Sequence, residues 1–247
     1  MIKSNKLQIN MTTNTDIFGL CCKAYLEGDK KAKITVRTDI AETDYLPADY
    51  LFRGFDEMPE HEKAALLEAK GKILDIGACA GSHSLYLQDK GFDVTALDIS
   101  NGCCEVMQKR GIKKVVCKNI FEYKEQKFDT IFLLMNGIGM AGTLPELPKL
   151  LSHLKTLLND GGQIVFDSSD LQYLYLEEDG SMNIPLGGKY YGELVYDISF
   201  HRQHSGKFNW FFADPYSVED YAAQCGLKME FIRTGEHYDY SAKLIIS

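Results

Sequence analysis

Two glycines close an apolar run at Ile73-Leu74-Asp75-Ile76-Gly77-Ala78-Cys79-Ala80-Gly81-Ser82, which reads as a strand entering a tight turn that opens a helix. Without Cβ atoms, Gly77 and Gly81 accept backbone conformations closed to other residues and let a ligand lie against the main chain. A second apolar run, Asp93 to Leu97, ends on Asp98, 23 residues past Asp75. The Asp98 carboxylate offers two acceptor oxygens, enough to grip a pair of neighbouring hydroxyls. Its other reading is a charge at the N-terminus of the helix that Ser100 caps. A third stretch with chemical potential is Glu236-His237-Tyr238-Asp239-Tyr240, where His237 carries the side chain that titrates near neutrality.

These residues need elements to position them. Pro59 to Ala69 reads as a helix closed by Gly71, Lys72 to Ile76 as a strand, and Leu85 and Tyr86 as the opening of a helix stopped by Gly91. Asp93 to Leu97 is the next strand, Asn101 to Arg110 a helix ended by Gly111, and Lys114 to Cys117 a third strand. Phe128 to Met135, almost wholly apolar, suits a central strand buried on both faces. Leu147, Leu151, Leu154 and Leu158 recur at helical spacing as a core stripe, and Asp160-Gly161-Gly162 breaks that helix before a strand from Gln163 to Asp167. Such alternation implies right-handed βαβ units in a mostly parallel sheet, with ligands at the carboxyl ends of the strands.

Two segments stand outside the alternation. Residues 1–58 hold a helix (Asp16 to Glu27) and a short strand (Lys33 to Arg37), and read as an N-terminal cap on a domain spanning 59–247. Residues 190–213 read as an inserted β-hairpin, with Leu194 to Phe200 and Phe208 to Phe212 flanking a turn at His204-Ser205-Gly206-Lys207. Ser217 to Gly226 is then a helix, and Met229 to Arg233 with Ala242 to Ile246 a last strand pair.

Composition narrows the function classes. A net charge of -8 argues against nucleic acid or an anionic membrane surface as the main partner, and the basic group Lys30, Lys31, Lys33 reads as a solvated loop. Seven cysteines, odd in number and without C-x-x-C, are neither a disulfide framework nor a metal site, since His201 and His204 have no Cys pair at ligand spacing. Reduced thiols fit a cytoplasmic protein. The first twenty residues, with polar Asn5, Gln8, Asn10, Asn14 and Asp16, contain no apolar signal core.

The stretch from Ile73 to Ser82 resembles motif I of class I S-adenosylmethionine-dependent methyltransferases, with Cys79 in place of the middle glycine of G-x-G-x-G. A dinucleotide-binding G-x-G-x-x-G matches poorly, because Cys79 and Ser82 stand where its second and third glycines belong. The family resemblance implies a Rossmann-like α/β fold with a mostly parallel seven-stranded sheet, the last strand antiparallel. It implies S-adenosylmethionine as cofactor, its methionine and ribose on Asp75, Gly77, Ala78, Gly81, Ser82 and His83. Asp98 with Ile99 would hold the ribose, and Asn119 the adenine amino group, with Ile120 packed on the ring. Leu134-Met135-Asn136-Gly137-Ile138-Gly139 resembles motif IV, adding Asn136 to the cofactor set. It lacks the [D/N]-P-P-[Y/F] of enzymes that methylate nucleobase or amide nitrogens.

Tyr50-Leu51-Phe52-Arg53 and Gly235-Glu236-His237-Tyr238-Asp239-Tyr240 resemble a bacterial methyltransferase subgroup of unassigned substrate. Arg53 either pairs with the cofactor carboxylate or makes a surface ion pair. In this fold the turn Glu236–Tyr240 lies on the ligand rim, which makes His237 and Tyr238 the catalytic candidates, with Asp167 and Asp170 approaching them. The alternative is that these groups only satisfy the turn and one another. The expected activity is methyl transfer to a small-molecule acceptor, under a lid containing Phe200, Trp210, Phe211 and Phe212 unless those rings form a local core or dimer contact. Competing readings are a non-catalytic cofactor-binding regulator or partner subunit, another transfer from the same cofactor such as aminopropyl transfer, and a nicotinamide-dependent oxidoreductase.

Overall fold

A computed structural model describes residues 15–177, 179–183 and 188–247. The chain begins with α1 (Ile17–Leu26), β1 (Lys33–Thr38), β2 (Asp44–Pro47), α2 (Ala48–Phe52) and α3 (Glu60–Leu67). The alternating part follows as β3 (Lys72–Ile76), α4 (Ser82–Asp89), β4 (Asp93–Asp98), α5 (Asn101–Lys109), β5 (Val115–Cys117), β6 (Phe128–Leu133), α6 (Leu147–Thr156) and β7 (Leu158–Ser169). Then come β8 (Glu193–Phe200), β9 (Gln203–Phe211), α7 (Pro215–Gln224), β10 (Leu227–Thr234) and β11 (Asp239–Ile246). Among the described residues no helix is long and apolar enough to cross a membrane.

The main sheet has seven strands in the order β10-β11-β7-β6-β3-β4-β5. From β5 to β7 neighbouring strands run parallel, while β11 lies antiparallel to both β7 and β10. The central β3 pairs with β4 on one side and β6 on the other, so the chain leaves it in two directions. That switch point opens a crevice at the carboxyl ends of the strands, beside Gly77. Apolar strand residues Phe128, Ile131 and Phe166 are fully covered on one face by Leu147, Leu150, Leu151 and Leu154 of α6. The stripe was expected to include Leu158 in the helix. The helix instead ends at Thr156, and Leu158 opens β7 opposite Phe128, buried in the same core from a strand.

The expected cap and the expected hairpin are parts of one structure. β2, only four residues long and ending in proline, gave no strand signal and joins β1, β8 and β9 in a four-stranded antiparallel sheet of order β2-β1-β8-β9. The hairpin turn is three residues earlier than the polar run His204–Lys207 suggested. His201 turns the chain in a left-handed conformation (φ +52), and Gln203 already pairs with Phe200. The polar run belongs to an edge strand with a bulge, where Gly206 has φ +75 and Ser205 Oγ accepts from the Ile198 N–H. Asn5, Gln8, Asn10 and Asn14 of the expected cap lie outside the described residues.

The cap meets the main sheet through α1, which crosses α5 at a glycine pair. A Cβ added to Gly102 would sit 2.5 Å from the Gly19 Cα. Asp16 locks this crossing, capping α1 at the Gly19 N–H while accepting from Ser100 Oγ and the Gly102 N–H.

Candidate active site

The glycine loop between β3 and α4 lines a narrow cavity with Leu51, Arg53, Asp75, Gly77, Ala78, Ser82, His83 and Met135. Gly77 and Gly81 take φ of +70 and +82. At Gly81 a Cβ would meet Ile112 Cδ1 at 2.2 Å, so its absence serves packing, whereas at Gly77 the nearest atom is Met140 Cε at 3.8 Å, which leaves room for a ligand. Asp98 ends β4 beside this loop, its oxygens accepting from the Cys79 and Ser100 N–H groups at 2.8 Å each. Burial raises its pKa to about 6, against the pull of those two N–H groups.

Arg53 is buried, not on the surface as one sequence reading had it. Its guanidinium forks onto Glu62, Nη2 lying 2.7 Å from Oε1, and His83 Nε2 lies 2.7 Å from the same oxygen. Burial would raise the Glu62 carboxyl, but His83 and Arg53 together hold it below its ordinary value. Desolvation works against the His83 imidazolium too, yet Glu62 raises its pKa. Arg53 Nε remains buried without a partner among the described residues.

A larger cavity of about 600 Å³ opens next to the first, lined by residues that include Tyr50, His61, Asn136, Asp167, Glu236, His237 and Asp239. Met135 lines both. Met135 and Asn136 are consecutive non-glycine residues in left-handed conformation, each with φ +57. Asp167, at the end of β7, holds them there by accepting from the Met135 and Asn136 N–H groups at 3.0 and 2.6 Å. Burial raises the Asp167 pKa to about 6. His61 Nε2 stands 4.0 Å from Asp167 Oδ2, and a Cβ on Gly235 would come within 2.8 Å of its Nδ1, so the imidazole sits between Asp167 and the β10–β11 turn. Asn136 Oδ1 is buried without a donor among the described residues.

A family model for a methyltransferase domain matches residues 50–229. The chain is also similar to a solved SAM-dependent methyltransferase from Bacteroides fragilis in complex with S-adenosyl-L-homocysteine, at 38% identity over 94% of this chain and 95% of that one, with a TM-score of 0.87. The chain belongs to the S-adenosylmethionine-dependent methyltransferases. A methyltransferase from Clostridium acetobutylicum (14% identity, 78% and 94% covered, TM-score 0.57) and the amino pentose methyltransferase CalS10 from Micromonospora echinaspora (14%, 84% and 100%, 0.54) share its fold. No curated protein matches the sequence.

The methyltransferase brings together Arg53, Asp75, Gly77, Ala78, Ser82 and His83 around the narrow cavity, while Gly81 supports the loop from behind. Asp98, Ile99, Asn119 and Ile120 follow β4 and β5. Ile99 is 45% exposed, an apolar surface beside the Asp98 carboxylate, while Ile120 is buried and Asn119 Oδ1 accepts from the Phe121 N–H. Asn136 was expected with the cofactor set but lines the larger cavity, because Asp167 holds its backbone on that side. His237 lines the same cavity. Tyr238 lines neither cavity; half-exposed at φ +59, it stacks on Tyr173. Asp170 is also drawn away, to Gln172 and Tyr191.

None of Phe200, Trp210, Phe211 or Phe212 lines either of these two cavities. Phe200 and Phe211 are buried in core, and Trp210 packs so closely on Gly139 that a Cβ there would lie 2.3 Å from the indole nitrogen. Sequence reasoning missed Glu62 and His61, whose partners lie up to 106 residues away in the chain. It also missed a grouping of Cys22, Cys79 and Cys103, three separate positions that share one point in space.

Proposed function

We propose that this methyltransferase transfers a methyl group from S-adenosylmethionine in the glycine-loop cavity to a small amine in the adjoining 600 Å³ cavity. The carrying observation is Met135, which lines both spaces, so that a ligand in one faces a ligand in the other. The cofactor supplies a methyl group on a positively charged sulfur, open to in-line displacement. The chain fits it in three ways. Arg53 Nε is an unpartnered buried donor for its carboxylate, Gly77 leaves space against the backbone, and Asp98 has acceptor capacity left for ribose hydroxyls.

An amine is favoured because the larger cavity is rich in acceptors. Glu60, Asp167, Glu236 and Asp239 line it, and Asn136 Oδ1 waits for a donor. An ammonium must lose its proton before its nitrogen attacks. His61, paired with Asp167, takes that proton, and His237 stands on the same wall as the second candidate. Tight positioning and exclusion of water supply the remaining acceleration.

Calorimetry with S-adenosylhomocysteine tests the cofactor assignment. Asp98→Ala is expected to weaken binding by about 2 kcal/mol, the scale of hydrogen bonds to a charged group. Undiminished affinity, or tight NADH binding by the parent, overturns it. Methyl transfer from radiolabelled cofactor to matched primary amines and alcohols tests the acceptor class. His61→Gln should lower turnover on an amine by roughly 10² to 10⁴ with cofactor affinity unchanged. A similar loss only in His237→Gln would move the proton to that residue, and binding without any transfer would favour a regulator.

A further inference from the structure

Beneath the cofactor loop, thiols from three elements converge. Cys22 lies on α1, Cys79 in the glycine loop and Cys103 on α5. Their sulfurs are 3.8 Å (Cys22 to Cys79) and 4.0 Å (Cys79 to Cys103) apart, and all three lie within 4.8 Å of one another. A divalent ion with metal–sulfur bonds of about 2.3 Å needs its thiolates about 3.8 Å apart in a tetrahedron and about 4.0 Å apart in a plane. Two of the three separations already match, and the third lies within 4.8 Å, a gap that side-chain rotation can close.

Two further observations set this group apart from an ordinary buried cluster. Cys79 occupies a left-handed conformation, φ +51, that a glycine would hold without strain. A side chain that costs the loop strain there has its sulfur aimed at two others. The surroundings are also suited to a soft ion: Leu51, Phe52, Phe18 and Val106 exclude water, and Arg110, held on the Ala80 carbonyl, is the cation whose field reaches Cys22 and Cys79. Cys79 lines the cofactor cavity and gives the ion a route in.

We propose that Cys22, Cys79 and Cys103 form a three-thiolate site for a thiophilic divalent d10 ion of the zinc and cadmium class. Binding releases one proton from each thiol to solvent, forms three metal–sulfur bonds and changes no oxidation state. The product carries one negative charge, which Arg110 offsets. A bound ion ties the cap helix, the cofactor loop and α5 together at one point, so it stiffens the loop that the cofactor must meet.

The test is titration of the full, reduced, metal-free chain with cadmium chloride, following the thiolate-to-cadmium charge-transfer band, proton release in weak buffer and the melting temperature. One ion per chain, three protons per ion and a raised Tm are expected. Cys22→Ala and Cys103→Ala should each weaken uptake about 100-fold or more, beyond the loss caused by removing a hydrogen-bond partner of a metal ligand. Cys79→Gly guards against misfolding: it relieves the strained φ, so it should melt no lower than the parent without metal and yet lose the band. Cys117→Ser and Cys225→Ser should titrate like the parent. An unchanged band in Cys79→Gly, loss of the band in Cys117→Ser, or air oxidation to a Cys79 disulfide that zinc or cadmium does not prevent overturns the proposal.

Discussion

Asp98, which we propose holds the ribose, is a burden on the fold that carries it. Its carboxyl ionises near 4 in the unfolded chain and, because of burial, at about 6 in the folded one. The raised value means that the protonated group stabilises the fold fully below about pH 4, and that this contribution is lost as pH rises through about 6. A shift of about two pH units is on the order of 3 kcal/mol. Urea unfolding without cofactor should therefore show the parent losing on the order of 3 kcal/mol more than Asp98→Asn between pH 4 and pH 7; parallel stability curves for the two proteins contradict this. The place of Asp98 beside the glycine loop was legible in the sequence because it ends an apolar run that follows the glycine turn. His61 was not, since its meaning comes from Asp167, 106 residues away and on another element. Tyr238 misled for a related reason: a tyrosine in a rim turn can face the cavity or the solvent, and its φ of +59 with the stack on Tyr173 decides for the outside.

At the level of elements, the α1–α5 crossing makes a sharp demand on two small residues. Gly102 lies inside a helix with no unusual φ, so a methyl group there acts only through space, against the Gly19 backbone 2.5 Å away. Gly102→Ala should destabilise the protein by roughly 1–3 kcal/mol or more, the range for overpacking. Gly91→Ala, where nothing lies within 4 Å but φ is +91, isolates the backbone cost at about 1 kcal/mol. If thermal melts rank these two variants in the opposite order, the crossing is looser than its geometry implies. The parallel strands were readable because each is a short apolar run between turn residues. The hairpin turn was misplaced because His204–Lys207 is as polar as a turn, while an edge strand with one face to solvent has the same composition. β2 gave no signal, being four residues with only Leu46 even half-buried.

For the whole molecule, the second sheet is made from two distant parts of the chain. Thr35 pairs with Ser199 and Arg37 with Asp197, so neither the expected cap nor the expected hairpin is a sheet by itself. No periodicity in either segment announces such a pairing, which is why the sequence shows two appendages where the structure has one. Hydrogen exchange should report β1, β8 and β9 opening together as a unit, and Ile34→Ala, at a fully buried position in that sheet's core, should speed exchange in 193–211 as much as in 33–38. Faster exchange confined to β1 contradicts a shared unit. The pairing also sets a timetable for synthesis. On the ribosome β1 emerges before every strand of the parallel core, yet its β8 edge stays bare until about 160 further residues have been added. The parallel core, complete as far as β7, can assemble in that interval, so β1 is made before the core and finished after it, and a chain released before β8 would carry an open strand edge into the crowded cell.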